Sequence, residues 1–450
     1  MVNLLSPKEL FLFLETYETD FIEKKQRGVV FTNLKVIEEV MKELPNEVWF
    51  NPSLKWLDPC CGIGNFSIYL YFKLMNSLKD KIKNEEKRRK HILENMIYMV
   101  EMNETYFKIA QKIFLSEKYK INLFHGSYVS LHTLDKDIPI YNPQDKYDII
   151  FGNPPYQKEN KVDTTKLSAK PLYPFFVEKS IELVKDNGYL NFIHPVSWRR
   201  KSKEIKILEL LTQYHFLYFY TSNGYEPFKT CAPYINIYVL QKKINNSLKT
   251  RYETIFDKVS YSGELIIPQD FKFMPVLLSR ETMSILSKMI NTKGPKLKIQ
   301  LESKFSTSKK NIRIIPDEQY KYKNLHTHHI SKGLIYRYSE RKHPCHDKTK
   351  ILMNFKGGYK NLRPIVDMGT CGITDNSMYM EVSDTEKDFI LEFLSSEIIY
   401  FLLKITNYNF GTNHKNEFHI LNLVTIPKIK DYHKFYQFTD KEMKFINLIR

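Results

Sequence analysis

Residues 148 to 157 read DIIFGNPPYQ. The segment begins as an apolar strand and stops at Asn153-Pro154-Pro155-Tyr156. Two prolines cannot extend a central strand, because they lack backbone donors. A strand that ends in an amide, two rigid residues and an aromatic ring is built to hold something. Two other strand ends carry comparable chemistry. In "LDPCCGIGNF" a short apolar strand runs into Asp58-Pro59-Cys60-Cys61-Gly62-Ile63-Gly64-Asn65-Phe66. Glycines there let the backbone approach a ligand closely. "NMIYMVEMN" is an apolar strand that ends in Glu101. An acid at that place can accept both hydroxyls of a ribose. Taken singly, each has a bland reading as a tight turn or a solvated strand terminus. Their combination is far more specific, because open parallel sheets bind ligands at the carboxyl ends of their strands.

The elements that must position these groups follow from the pattern. Residues 6 to 24, 34 to 44 and 67 to 94 read as helices, the last with a charged, solvated face "KDKIKNEEKRRKH". "TYFKIAQKIFL", residues 173 to 185 and "KEIKILELLTQY" are further helices. Between them lie the strands "INLFHGS", "YDIIFGN" and "GYLNFIHP", and after them a closing pair, "HFLYFYT" and "INIYVLQK". Alternation of strands and helices from residue 50 to 240 predicts an α/β fold with a parallel, doubly wound sheet. The polar stretch "KKINNSLKT" marks a boundary, giving domains 1–245 and 246–450. Beyond it the alternation fades into an α+β domain rich in Lys, Tyr and His. The run "FILEFLSSEIIYFLLKI" is broken by Glu392 and Glu397 and reads as an amphipathic core helix.

The bulk numbers agree with a globular protein. The chain has 450 residues, 42% hydrophobic and 14% aromatic, enough for two or three buried cores. It carries 68 Lys and Arg against 51 Asp and Glu, a formal charge of +17. Such a surplus favours a polyanionic partner, although an AT-rich coding bias would also enrich Lys. Five cysteines without paired spacing point to a reduced, intracellular protein. The first residues carry acids and no basic run, unlike a signal peptide, and no apolar run reaches the ~18 residues of a membrane span. A cytoplasmic location is expected.

The quoted motifs resemble the class I S-adenosylmethionine-dependent methyltransferases, specifically the amino-group DNA methyltransferases that modify adenine N6. "RGVVFTNLKVIEEVM" is similar to the family's N-terminal cofactor motif, with Thr32 at the position that touches the methionine carboxylate. "LDPCCGIGNF" resembles the glycine-rich cofactor loop, "MVEMN" the ribose-binding strand end and "NPPY" the catalytic tetrapeptide. "NGYLNFIHPVSW" resembles the fifth-strand motif. The order of motifs, followed by an added C-terminal domain, is that of the gamma group. The resemblance spans roughly residues 25 to 241. It departs in two places. The gap from Gly64 to Glu101 exceeds one crossover helix, and the third strand ends in "FHGSY", with Ser127 where an acid usually meets the cofactor's adenine. A hydroxyl accepts a hydrogen bond there more weakly than a carboxylate does.

The resemblance implies a Rossmann-like methyltransferase sheet with a C-terminal target-recognition domain, S-adenosyl-L-methionine as cofactor and double-stranded DNA as substrate. It implies a cofactor site of Thr32, Asp58, Pro59, Cys60, Gly62, Gly64, Phe66, Glu101, Met102, Ser127 and Asn153. In the reaction, Asn153 Oδ1 and the Pro154 carbonyl would accept the two hydrogens of the adenine amine. Pro155 would stiffen the turn, and Tyr156 would stack on a base flipped out of the duplex. Phe228, in "PFKTCAPYINIYVLQK", is the candidate for the second aromatic wall, with core packing as its other reading. No metal is needed. The cluster "LHTHHI" with "KHPCHDK" (His326, His328, His329, His343, Cys345, His346) lacks the spacing of a zinc finger. A monomer acting on DNA is expected, either beside a separate restriction endonuclease or alone. Two rivals stay open: methylation of RNA or of protein glutamine, and a catalytically silent nucleic-acid-binding subunit.

Overall fold

The computed structural model describes residues 9–10, 32, 34–129, 138–156, 171–200, 206–222, 234–269, 271, 273–301, 304–306, 311–355, 359–408 and 418–449. The chain divides into two units, residues 1–231 with 235–272 and residues 232–234 with 273–450. Among the described residues no helix is long and apolar enough to cross a membrane.

The strands of the first unit are β1 (Trp56–Asp58), β2 (Ile97–Glu101), β3 (Asn122–His125), β4 (Tyr147–Gly152), β5 (Val184–Pro195), β6 (Tyr214–Ser222), β7 (Ile235–Ile244), β8 (Lys249–Phe256) and β9 (Val259–Ile266). They form one sheet in the order β3-β2-β1-β4-β5-β7-β6-β8-β9. The five strands from β3 to β5 pair in parallel. β7 inserts between β5 and β6, antiparallel to both. The expected parallel, doubly wound sheet is present from β3 to β5, and the expected closing pair, β6 and β7, makes the whole sheet a mixed one. The helix–strand alternation that signals parallel crossovers ends after residue 211, and beyond it consecutive strands pair antiparallel, β6 with β7 and β8 with β9. β1 has neighbours β2 and β4, so the chain reverses its direction of travel across the sheet there. Open α/β sheets bind ligands at the strand ends beside such a switch point.

Helices flank the sheet: α1 (Leu34–Met41), α2 (Asn65–Ser77), α3 (Glu85–His91), α4 (Glu104–Ile113), α5 (Tyr173–Leu183) and α6 (Ile207–Leu211). The long stretch between Gly64 and Glu101 resolves into α2, then α3, then a π-helical turn Ile92–Met96 that feeds β2. In α3, Arg89 pairs with Glu85 at 2.6 Å and Glu86 at 2.9 Å, which makes the charged run a solvated helix face. All but residues 9 and 10 of the expected helix 6 to 24 lies outside the described residues. β1 is buried along its whole length. Its Trp56 stacks on Trp49 at 5.1 Å and meets Phe151 of β4 edge-on at 6.0 Å. This aromatic core fixes β1 against β4, and with it the two strand ends that carry Asp58 and Asn153.

β8 and β9 lie beyond the expected boundary at 245 and extend the same sheet, β8 parallel to β6 and β9 antiparallel to β8. The polar run after Gln241 holds the short turn between β7 and β8 rather than a linker.

Among its described residues the second unit carries two four-stranded sheets. One joins β10 (Gln300–Leu301), β17 (Ser377–Glu381), β14 (Thr349–Asn354) and β15 (Ile365–Met368). The other joins β11 (Ile312–Arg313), β13 (Gly333–Ser339), β12 (Tyr322–His329) and β16 (Gly372–Ile373). Its helices include Arg280–Asn291, whose Ser279 hydroxyl accepts from the Thr282 amide as an N-terminal cap. The expected amphipathic helix is two helices, Lys387–Leu394 and Glu397–Ile405, separated at Ser395 and Ser396. The unit is α+β, as expected.

Candidate active site

Three strand ends meet at the switch point. β1 ends in Asp58, β2 in Glu101, and β4 in Gly152 followed by Asn153. After β1 the chain turns tightly: the Cys61 amide donates to the Val100 carbonyl at 3.0 Å, and the Gly64 amide to the Cys61 carbonyl at 2.8 Å. Gly62 and Gly64 hold φ of +57° and +102°, which L side chains rarely adopt. A side chain at Gly62 would point into open space, whereas one at Gly64 would meet the Phe114 ring at 2.7 Å. The loop is therefore open on the Gly62 side and closely packed on the other, as a ligand cradle must be.

Glu101 stays beside this loop despite the long connection. Its carboxylate accepts from the Gly62 amide at 2.8 Å and from the Asn103 amide at 2.6 Å. The carboxylate of Asp58 accepts from the Cys60 amide at 3.3 Å and the Ser67 hydroxyl at 3.2 Å. Burial pushes the Asp58 carboxyl up to about 7, and the neighbouring Glu101 adds to the rise. Burial also raises Glu101, against backbone hydrogen bonds that lower it. Two buried carboxyls whose ionised forms are disfavoured by burial favour a cationic ligand.

Asn153 is held by two hydrogen bonds. Its Nδ2 donates to Thr32 Oγ1 at 3.2 Å. Its backbone carbonyl accepts from the Cys60 thiol at 3.4 Å. Burial pushes that thiol well above its ordinary range, so it stays protonated and able to donate. Just before it, Gly152 has φ of +142°, and a side chain there would lie 3.1 Å from Asp58 Oδ1. The missing Cβ lets the end of β4 lie against the end of β1. With Nδ2 engaged, Asn153 Oδ1 is buried and has no hydrogen-bond partner among the described residues. An orphaned buried acceptor costs roughly 1–3 kcal/mol and marks a place where a donor belongs.

The other expected residues fall as follows. Pro154 is buried, and Pro155 and Tyr156 are half-buried beside it. Thr32 is buried and also accepts, through its carbonyl, from Asn65 at 3.1 Å. The Phe66 ring packs into the core, 6.3 Å from Phe151. Pro59 sits in the turn after Asp58, and Met102 is exposed just beyond β2. Ser127 is buried, and its hydroxyl donates to the Val129 carbonyl at 2.7 Å, which leaves its lone pairs as acceptors. Phe228 and Cys231 lie outside the described residues. Ser67, Gly152 and the Cys60–Asn153 contact escaped the sequence reading. The glycine before the tetrapeptide was the available signal.

In the second unit the histidine cluster is taken up by local structure. His326 contacts Thr374 Oγ1 at 3.0 Å and Asn376 Nδ2 at 2.9 Å. His343 Nδ1 accepts from the Cys345 amide at 3.1 Å. Cys345 is buried with Leu325, Leu352 and Cys371. Among the described residues no three His, Cys, Asp or Glu side chains converge as metal ligands would.

Comparison with known proteins gives relatives of one kind. Residues 54–228 match the family model of the Eco57I restriction-modification methylase. The chain is 26% identical, over an alignment of 331 positions, to an uncharacterized adenine-specific methylase of Mycoplasma pneumoniae, covering 56% of this chain and 76% of that protein. It is 27% identical over 195 positions to the type II methyltransferase M.VspI of a Vibrio species, covering 40% of each. The solved structure of the type IIL restriction-modification enzyme MmeI in complex with DNA matches with a TM-score of 0.52 at 12% identity, covering 92% of this chain and 70% of that one. That last likeness concerns the fold, which is the Rossmann-like class expected for the first unit.

Proposed function

We propose that this chain is an adenine-specific DNA methyltransferase of the restriction-modification class, with residues 54–228 as its methylase domain. The observation that carries the reading is the Asn153 side chain: Nδ2 engaged by Thr32 at 3.2 Å, Oδ1 buried and unpartnered among the described residues. Adenine's exocyclic amine is a poor nucleophile because its lone pair is delocalised into the ring. Two acceptors that take its hydrogens draw the nitrogen toward tetrahedral geometry and free the lone pair. Asn153 Oδ1 is one acceptor in this proposal, and the Pro154 carbonyl is the other. The Thr32 contact fixes which end of the amide faces the substrate. The Cys60 thiol, on the Asn153 carbonyl, steadies the peptide that leads into Pro154. Such acceptors are preorganised, so little reorganisation is needed as the barrier is crossed. Tyr156 offers the stacking face for an extruded base.

The cradle suits S-adenosylmethionine, which supplies an electrophilic methyl on a sulfonium. Gly62 leaves open space beside it. Glu101 offers acceptors for ribose hydroxyls, and Asp58 a buried carboxyl that gains from a nearby cation. In this reading Ser127 meets the adenine of the cofactor, and Met102, exposed after β2, belongs to the same cofactor site. In this reading residues beyond the methylase unit choose the DNA site, and the protein works as a monomer with or without a separate endonuclease.

The test is transfer of a tritiated methyl group from the cofactor to double-stranded DNA, RNA and protein in parallel. Label on DNA adenine N6 is the expected result. Label on RNA or on protein glutamine, or on nothing, overturns it.

A further inference from the structure

The hairpin of β12 and β13 in the second unit ends in a tip whose chemistry its own fold does not use. The last pair of the ladder is His329 with Gly333. Gly333 turns the chain with φ of +66°, a conformation that favours glycine. His329 Nδ1 accepts from both the amide and the hydroxyl of Ser331 at 3.2 Å, which staples the loop to the strand. On this fixed loop Ile330 is 78% exposed, more than any other large apolar side chain among the described residues, and Leu334 is 40% exposed. Beside them Lys332 is exposed and has no ion pair among the described residues. From Lys321 to Lys342 the hairpin carries six Lys or Arg and one acid, Glu340.

A rigid apolar point costs free energy in water and gains it only against a partner. Lys332 at the tip, with the net positive charge spread along the hairpin toward its base, favours a polyanion. The major groove of B-DNA, about 12 Å wide, admits a two-stranded β-ribbon, and the apolar group it displays there is the thymine methyl. We propose that the β12–β13 hairpin enters the major groove of the substrate duplex, with Ile330 against a thymine methyl and Lys332 on a flanking phosphate. This assignment rests on the reading of the chain as a DNA methyltransferase and names the element that meets DNA. The His329–Ser331 contacts at the tip lower the conformational entropy lost on docking.

The experiment uses the full chain and a duplex that the wild-type protein is first shown to methylate. Ile330→Ser should raise the Kd for that duplex about tenfold, the worth of one good base contact. Its turnover at saturating DNA and its cofactor affinity should stay within twofold of wild type. Lys332→Ala should lessen the slope of log affinity against log salt by about 0.9, the share of one phosphate. A duplex with uracil in place of thymine should bind the wild type more weakly yet bind Ile330→Ser no worse than the thymine duplex does. Both substitutions sit on exposed loop residues, and thermal melts check that the fold is kept. Wild-type affinity in both variants, on DNA that the wild type methylates, overturns the hairpin's role and leaves the methyltransferase reading standing. Lost self-association in Ile330→Ser with DNA binding unchanged assigns the tip to a protein contact and overturns it too. A wild-type chain that labels no DNA overturns the methyltransferase reading, and the hairpin assignment falls with it.

Discussion

Cofactor binding should be coupled to proton release through Asp58. Burial pushes this carboxyl from 3.8 up to about 7, so at neutral pH about half of the free protein carries it protonated. A sulfonium cation placed beside it favours the ionised form, and an opposite charge within ~4–6 Å lowers a carboxyl by about 1–3 units. Taking a fall of about two units, the bound form titrates near 5. Affinity then drops about tenfold from pH 8 to pH 6, or ~1.4 kcal/mol, and binding at pH 6 releases about 0.8 proton. S-adenosylhomocysteine has no sulfonium charge, so its affinity should vary much less over the same range. The sign for stability is opposite. Because the folded value lies above the unfolded one, Asp58 contributes stability fully present below 3.8 and lost as pH rises through about 7. Asp58→Asn should accordingly stabilise the unliganded protein at pH 8, by up to something on the order of 4 kcal/mol, less any weakening of the bonds from Cys60 and Ser67. The assay is calorimetry of cofactor binding at pH 6, 7 and 8 in two buffers of different ionisation enthalpy. A Kd that is flat over that range, with no buffer-dependent heat, refutes the reasoning.

Asn153→Ala should lower methyl transfer at saturating cofactor by a hundredfold or more, on the order of 3 kcal/mol in the barrier, a far larger effect than on cofactor affinity. Single-turnover kinetics within tenfold of wild type would remove Asn153 from the reaction. Glu101→Ala should weaken cofactor binding by ~1.5–3 kcal/mol in calorimetry, since it removes a charged hydrogen-bonding partner. Gly64→Ala should cost about 1–3 kcal/mol of stability in a thermal melt, because the residue is left-handed and the added Cβ meets Phe114. Tyr156→Ala should cost ~1–3 kcal/mol in binding of the extruded base, and 2-aminopurine at the target position should brighten less than with wild type. A probe that stays quenched with the wild-type chain counts against extrusion and against any stacking role for Tyr156 or Phe228.

What was legible in the sequence was chemistry at strand ends. Asp58, Glu101 and Asn153 each follow an apolar run, and parallel strands bring such ends to one edge of a sheet whatever lies between them. That is why the long stretch from Gly64 to Glu101 does no harm: two helices and a π-turn replace one helix, yet β2 still pairs with β1 from Trp56 and Ile97 onward. The boundary at 245 was less legible, for a polar run looks alike in a linker and in an exposed turn. The better signal lay just after it, in "KTRYETIF", where Thr250, Tyr252, Thr254 and Phe256 alternate with exposed or half-exposed residues. A period of two over eight residues marks a half-buried strand.

Contacts across the chain were not legible at all. Thr32 and Asn153 are separated by 121 positions, and no local pattern announces that one will orient the amide of the other. The sequence placed Thr32 on the cofactor, whereas the fold sets its hydroxyl against Asn153 Nδ2. Both uses are chemically compatible: a hydroxyl accepts from the amide through a lone pair and still has a proton to donate. If the methionine carboxylate takes that proton, the hydroxyl joins the cofactor to the acceptor that activates the amine. Thr32→Val should then reduce turnover and cofactor affinity together, and Thr32→Ser should restore both. A valine variant that weakens cofactor binding but turns over normally when saturated would show the two sites to be independent.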